Sequence, residues 1–303
     1  MGSEAVASTV VPRGPHPVAA HHPPLITVAK RHPTIVLGGA VLLLLVLAAT
    51  FAPQLAPADP LKTGFSTRTK PPAILGFDSA FLLGSDGLGR DILSRLLYGG
   101  RISLALAAIA VACSGAVGVT LGLLAGYFGG WVDDVIMRVV DVQLSFPIIL
   151  LAIAVIAVVG TSLEALLGVL VLAGWVIYAR TVRASVLSLR QQDYVMAARA
   201  LGAGAPRVIV RHILPNVQAP ILVIGTVQLA TMILLESGLS FLGLGVQPPT
   251  PSWGYMLAEG RDYLSNAWWI STVPGIAISL AVLAANLVGD GLRDLLDPSL
   301  RGL

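Results

Sequence analysis

The chain has 303 residues, of which 55% are hydrophobic and 12% charged, with a formal net charge of +3 and a mean hydropathy of +0.84. That balance excludes an ordinary soluble globular domain, and the modest, unevenly placed positive charge speaks to membrane topology and not to nucleic acid. Cys113 is the single cysteine, which excludes an intrachain disulfide and a cysteine-based zinc site.

In chain order, residues 1–33 are rich in Pro, His, Ala and Val without helical period and read as a cytoplasmic tail. Residues 34–52 form an apolar run long enough to cross the hydrocarbon core, the first transmembrane helix. It reads as an uncleaved span, because the run exceeds a signal peptide's and Pro57 lies inside the possible cleavage site. Residues 53–100 are too charged to insert, are interrupted by Pro60, Pro71 and Pro72, and are assigned to the extracytoplasmic side. A five-helix core over 101–292 follows, with apolar segments centred near Val111, Ile153, Val171 and Val227 and a last one from Ser271 to Val288. Residues 293–303 read as a second cytoplasmic tail.

Six spans return the chain to its starting side. Arg180, Arg183, Arg190, Arg199, Arg207 and Arg211 cluster between the fourth and fifth spans, so that loop and both termini are expected inside. The basic residues of 53–100, Lys62 and Lys70 among them, run against this scheme.

Several residues stand out within the spans. Ser114, Gly118, Gly122 and Gly126 recur every four residues and predict a smooth packing seam, against a helix of the same chain or of a second, homologous chain. Pro147 predicts a kink or break beside Ser145, either purely structural or part of a translocation pathway. Glu236 is read as the one acid deep in apolar sequence. A carboxylate at mid-membrane costs about 3 kcal/mol on insertion scales, so a pathway role with Ser237 and a hydrogen-bonded place near the outer end of the fifth span are both open. Trp253, Trp268 and Trp269, with Tyr255 and Tyr263, are expected to anchor at the membrane interface.

The arginine-rich loop, 181–215, predicts two short helices joined by a tight turn. Tyr194, Ala198 and Leu201 fall at i, i+4 and i+7 on the first helix, Gly202 and Gly204 supply the turn, and Pro215 is expected to end the second helix. Such an amphipathic hairpin suits either docking into a partner's groove or lying on lipid headgroups.

In this loop Ala197-Ala198, Gly202 and Leu214-Pro215 are spaced as in the EAA loop of bacterial ABC importer permeases. The resemblance extends through Leu83 to Asp91, Gly126 to Gly130, Leu239 to Gly245, Gln247 to Pro251 and Gly289 to Asp294. The chain resembles the C-type permease subunits of dipeptide, oligopeptide, glutathione and nickel importers over about residues 34 to 302. Met196 and His212 depart from that pattern, standing where the family has glutamate and isoleucine.

The resemblance implies an all-α, polytopic type I ABC importer transmembrane domain in a bacterial plasma (inner) membrane. It implies Met196, Ala197, Ala198, Leu201, Gly202, Leu214 and Pro215 as the ATPase-coupling residues. It also implies a homologous B-type permease, two cytoplasmic ABC ATPase domains and an extracytoplasmic substrate-binding protein as partners, alongside membrane lipid. The expected cargo is a peptide or glutathione; a nickel chelate or other small solute is the alternative, and an ion-coupled secondary transporter a more distant one. No phosphate loop occurs, so the chain is expected to be non-catalytic, with ATP and magnesium on the partner subunits. Four of the five histidines lie in the N-terminal tail, and no metal site is expected.

Overall fold

The computed structural model describes residues 33–77 and 79–296; the expected N-terminal tail before Pro33 and the C-terminal tail beyond Leu296 lie outside them. The described residues are helical, without a strand. Helices α1 (Pro33–Thr50), α2 (Ile92–Phe128), α3 (Gly130–Leu144), α4 (Ile148–Val159), α5 (Leu163–Leu189) and α6 (Asp193–Ala200) come first. The rest are α7, a continuous run over Ala205–Phe241, then α8 (Trp253–Gly260) and α9 (Trp269–Leu296).

Among the described residues α1, α2, α5, α7 and α9 are each long and apolar enough to cross a membrane, and α3 with α4 makes the sixth span, bent by 91°. The bend has a local cause. Pro147 offers no N–H and disfavours helical backbone at Phe146, while the Ser145 hydroxyl donates to the Asp141 carbonyl at 2.8 Å and so ends α3. The sixth span therefore exists only as two half-helices.

α2 opens at Ile92, inside the stretch read from the sequence as extramembrane. Asp91 caps it, its carboxylate accepting from the Ser94 N–H at 2.7 Å. At 37 residues α2 is about 55 Å long, so it extends beyond the hydrocarbon core.

Pro215 does not end the second helix of the arginine-rich loop. The backbone passes through a π turn at Ile209–Ile213, with the Leu214 N–H donating to the Ile209 carbonyl, and continues to Phe241. The wider turn opens the backbone just where the proline ring would crowd the preceding turn.

The tightest helix pair is α2 with α5. A Cβ at Gly122 would lie 2.6 Å from the Ala179 carbonyl oxygen and 2.9 Å from the Val182 Cβ, and one at Gly126 would lie 2.6 Å from the Val186 Cβ. Gly118 meets the Trp175 carbonyl and Tyr178, and Ser114 faces Gly174. The seam thus joins two helices of one subunit. Cys113, one residue off it, is exposed.

This pairing also orders the ends of the bundle. At the N-terminal end of α2, Gly99 and Gly100 abut Ser252 and Trp253; at its C-terminal end Gly126 abuts Val186. The 53–91 stretch and the connection carrying α8 therefore share one end. The arginine-rich connection between α5 and α7 occupies the other.

Candidate functional site

The arginine-rich end carries a projecting knob made of α6 and the start of α7. Its root is Val195 and Val208, both fully buried with Val182, Val186, Ile213, Val217 and Leu123. Val195 was not singled out from the sequence, since a single valine on an eight-residue helix does not announce which face is inward. Burying it turns Tyr194, Met196 and Leu201 outward, and Leu201 is 88% exposed.

Gly202, at φ +81°, reverses the chain immediately after Leu201. Ala197 and Gly202 are exposed as well, Ala198 is half-buried, and Leu214 and Pro215 lie beyond the π turn at the knob's base. Of the residues expected to couple, Met196, Ala197, Leu201 and Gly202 thus form one outward tip, and Val210 on the π turn is exposed too. An apolar tip on a rigid apolar root is a shape that fits a groove.

Side chains around the root hold the knob to the bundle. Arg190 donates to the Gly126 carbonyl at 3.0 Å, and the Arg199 guanidinium lies 5.9 Å from the Tyr127 ring centroid. Arg183 grips Asp133 of α3 in a bidentate ion pair.

At the opposite end lies a buried charge network that the sequence did not reveal. Arg90 pairs with Asp86 and Glu259 at 2.6 Å each, and Arg95 pairs with Asp86 at 2.5 Å and Glu259 at 2.6 Å. Asp86 and Arg95 are essentially inaccessible. Two cations and two anions cancel, and residues about 170 positions apart tie the 53–91 stretch to α8.

Burial opposes the charge on Arg90, yet Glu259 and Asp86 outweigh it and hold its pKa above the ordinary arginine value. Burial and the adjacent Glu259 carboxylate likewise push the Tyr255 phenol up. Two arginines that had counted against the expected orientation are internally neutralised.

Trp253 and Trp269 are not interfacial anchors. Both are buried, Trp253 donating through its indole N–H to the Leu96 carbonyl at 2.9 Å and Trp269 to the Ser85 carbonyl at 3.2 Å. Trp268 alone of the three is exposed.

Glu236, on the last turns of α7, is fully buried within the subunit. Its carboxylate accepts from Ser240 at 2.8 Å and from Ser237 at 3.4 Å, and Ser103 and Ser252 lie close enough to act on its charge. Three of these hydroxyls accept backbone N–H groups, Ser240 from Val246, Ser103 from Trp253 and Ser252 from Tyr255. Each has its own proton left to donate, so the carboxylate is an acceptor hub joining α2, α7 and α8.

A Glu236→Gln variant places an NH2 donor where the hydroxyls also donate. We expect it to lower thermal stability in detergent by about 1 to 3 kcal/mol. An unchanged melting curve would show that the hub contributes nothing.

The fold defines a polytopic α-helical membrane protein with a projecting apolar knob at its arginine-rich end. Residues 118–302 match the family described as the inner membrane component of binding-protein-dependent transport systems, and residues 28–72 match the N-terminal TM domain of oligopeptide transport permease C. The chain belongs to this family of importer permeases.

Among its relatives, the di/tripeptide transport system permease protein DppC of Pseudomonas aeruginosa is 46% identical over 267 residues, 88% of each chain. The glutathione transport system permease protein GsiD of Pectobacterium atrosepticum is 44% identical over 271 residues, 89% of each. An inward-facing structure of the MetNI methionine ABC transporter shares the fold with a TM-score of 0.55 at 19% identity, covering 67% of this chain and 96% of that one.

Proposed function

We propose that the chain is a non-catalytic permease subunit of an ATP-driven importer and forms half of a translocation pathway for short peptides. Relatives named for dipeptides, tripeptides and glutathione, matched over nearly nine-tenths of their length, support the cargo class. In this reading a homologous permease completes the pathway, two ATPase subunits bind ATP and magnesium, and a substrate-binding protein delivers cargo. The arginine-rich end faces the cytoplasm with both termini, in an inner membrane. Of the five basic residues of 53–100 that run against that orientation, Arg90 and Arg95 are held in the buried network with Asp86 and Glu259.

The single observation carrying the mechanism is the exposed tip around Met196, Ala197, Leu201 and Gly202 on its buried root. Closure of the ATPases on ATP displaces the tip, and α5 and α7, which enter and leave the knob, carry that displacement into the membrane. Because the root is packed and not hinged, the helices move with the tip as a unit. The wall exposed by that motion includes Ser145 at the broken span, while Glu236 and Ser237 lie buried within the subunit, Ser237 packed against Gly254 of α8.

The test is copurification of the ATPases with this chain and its partner permease. A Leu201→Asp substitution buries a charge at the docked tip and is expected to reduce ATPase recovery by more than about tenfold while leaving the permease pair intact. Undiminished recovery would remove the knob from the coupling role.

A further inference from the structure

α3 carries a line of polar side chains that is separate from its contacts with α5. Asp134, Arg138, Asp141 and Ser145 are spaced i, i+4, i+7 and i+11, lie within one narrow arc of the helix, and are all exposed in the subunit. Among the described residues none of the three charged ones joins an ion pair, and only Asp134 lies near an opposite charge, that of Arg183 on α5. The face that α3 turns to α5 is different, made of Val140 in an apolar cluster with Trp175, Val176 and Ala179.

Two clasps fix the depth of this line. Asp133 is gripped by Arg183 near the arginine-rich end, and Gln143 accepts from the Trp175 indole at 2.8 Å and donates to the Leu172 carbonyl at 2.5 Å. Leu172 and Trp175 lie in the middle third of α5, so the break after Leu144 lies near mid-bundle. Asp141 stands about 12 Å along the axis from Asp133, against a hydrocarbon half-thickness of about 15 Å.

Two independent observations then exclude lipid on this face. Charged side chains at that depth face water or protein, and the non-helical backbone at Ser145 to Pro147, exposed in the subunit, is tolerated at membrane depth only beside a water-filled cavity or under protein. Covering three charges with a second protein would require full compensation of each desolvated group. A hydrated wall requires none.

We propose that the Asp134, Arg138, Asp141 and Ser145 face of α3 lines the aqueous passage, and that Asp141 holds the ammonium group of a passing zwitterionic solute at the level of the helix break. The alternation of negative, positive and negative charge matches a solute carrying both an ammonium and a carboxylate. This rests on the permease reading above and adds the residues and the solute charge.

The test uses the complete transporter in proteoliposomes, with Cys113→Ala removing this chain's one thiol and labelling read on this chain alone after separation from its partners. Ser145→Cys is exposed to a cationic trimethylammonium and to an anionic sulfonate methanethiosulfonate reagent, and Leu44→Cys on the exposed face of α1 serves as the lipid-facing control. Ser145→Cys is expected to react and Leu44→Cys not. The cationic reagent should react about five- to tenfold faster, a preference that Asp141→Asn abolishes and Asp141→Glu keeps.

In the same vesicles Asp141→Asn should lower uptake of a free-amino dipeptide by about tenfold, with ATPase copurification unchanged. Absence of labelling at Ser145→Cys, the result of a face packed on the partner permease or on lipid, overturns the passage wall. Labelling without a charge preference that depends on Asp141 overturns the ammonium role. Labelling requires no transport, so these outcomes are separate from a wild-type complex that takes up no peptide, which would instead defeat the permease reading.

Discussion

Replacing Asp86 by Asn is expected to destabilise the subunit by about 3 to 5 kcal/mol, enough to reduce its recovery in folded form severely. Asp86 accepts from both Arg90 and Arg95, and its carboxylate also accepts from the backbone N–H groups of Leu88 and Arg90 at 2.8 and 2.9 Å. The amide leaves two buried guanidinium groups sharing Glu259 alone. It also turns one acceptor into a donor facing an arginine. Breaking one partner of such a network costs more than the network contributes net, because the remaining charges stay desolvated.

The check is the melting temperature of the detergent-purified chain, with Asp262→Asn as a control. Asp262 pairs only with Arg261 on the surface at 3.4 Å, both side chains being well exposed, and an exposed pair contributes little. Equal melting temperatures for Asp86→Asn and the control would contradict the network's structural role.

The second large effect is expected at the α2–α5 seam. Gly122→Leu places carbon against the Ala179 carbonyl and the Val182 Cβ, and the first of these is backbone that cannot rotate aside. The helices must separate along their whole contact, undoing neighbouring approaches at Gly118 and Gly126. We expect a loss of about 3 kcal/mol, the upper end of the usual range for overpacking. Gly168→Leu on α5, where an added Cβ meets nothing within 4 Å, is the matched control. Thermal unfolding of the two variants side by side should show a large shift for the first and a small one for the second.

Features governed by local pattern were legible in the sequence. Apolar runs marked the spans, a four-residue repeat marked the seam, and Pro147 marked the break, because each depends on residues within a few turns of one another. The charge network was not legible, since nothing near Arg90 points to Glu259 across most of the chain. Trp253 and Trp269 look like interfacial aromatics by position, yet Trp253 is buried against Leu96, Gly99 and Gly100 of α2, and Trp269 against the 53–91 stretch and α8. Pro215 misled through its usual role as a helix stop, and the π turn beside it has no composition cue.

α3 shows the most instructive gap. Glu236 drew attention as an isolated acid in apolar sequence, whereas Asp134, Arg138 and Asp141 sit in a segment of mixed polarity where no single charge stands out. Only the break at Pro147 and the clasps at Asp133 and Gln143 set them at depth and on one exposed face. For the knob, spacing indicated an amphipathic helix but not which side was the anchor. Burial of Val195 decides that, and it leaves Leu201 outward.

In the proposed mechanism ATP hydrolysed on partner subunits drives peptide through this chain by way of the knob. Uptake of a labelled dipeptide into proteoliposomes containing the complete transporter and its binding protein tests it most directly, comparing the wild type with Leu201→Asp in the presence and absence of ATP. ATP-dependent uptake by the wild type that falls to the ATP-free level in the variant is the predicted result. Uptake that proceeds equally without ATP, or that survives Leu201→Asp undiminished, would contradict it.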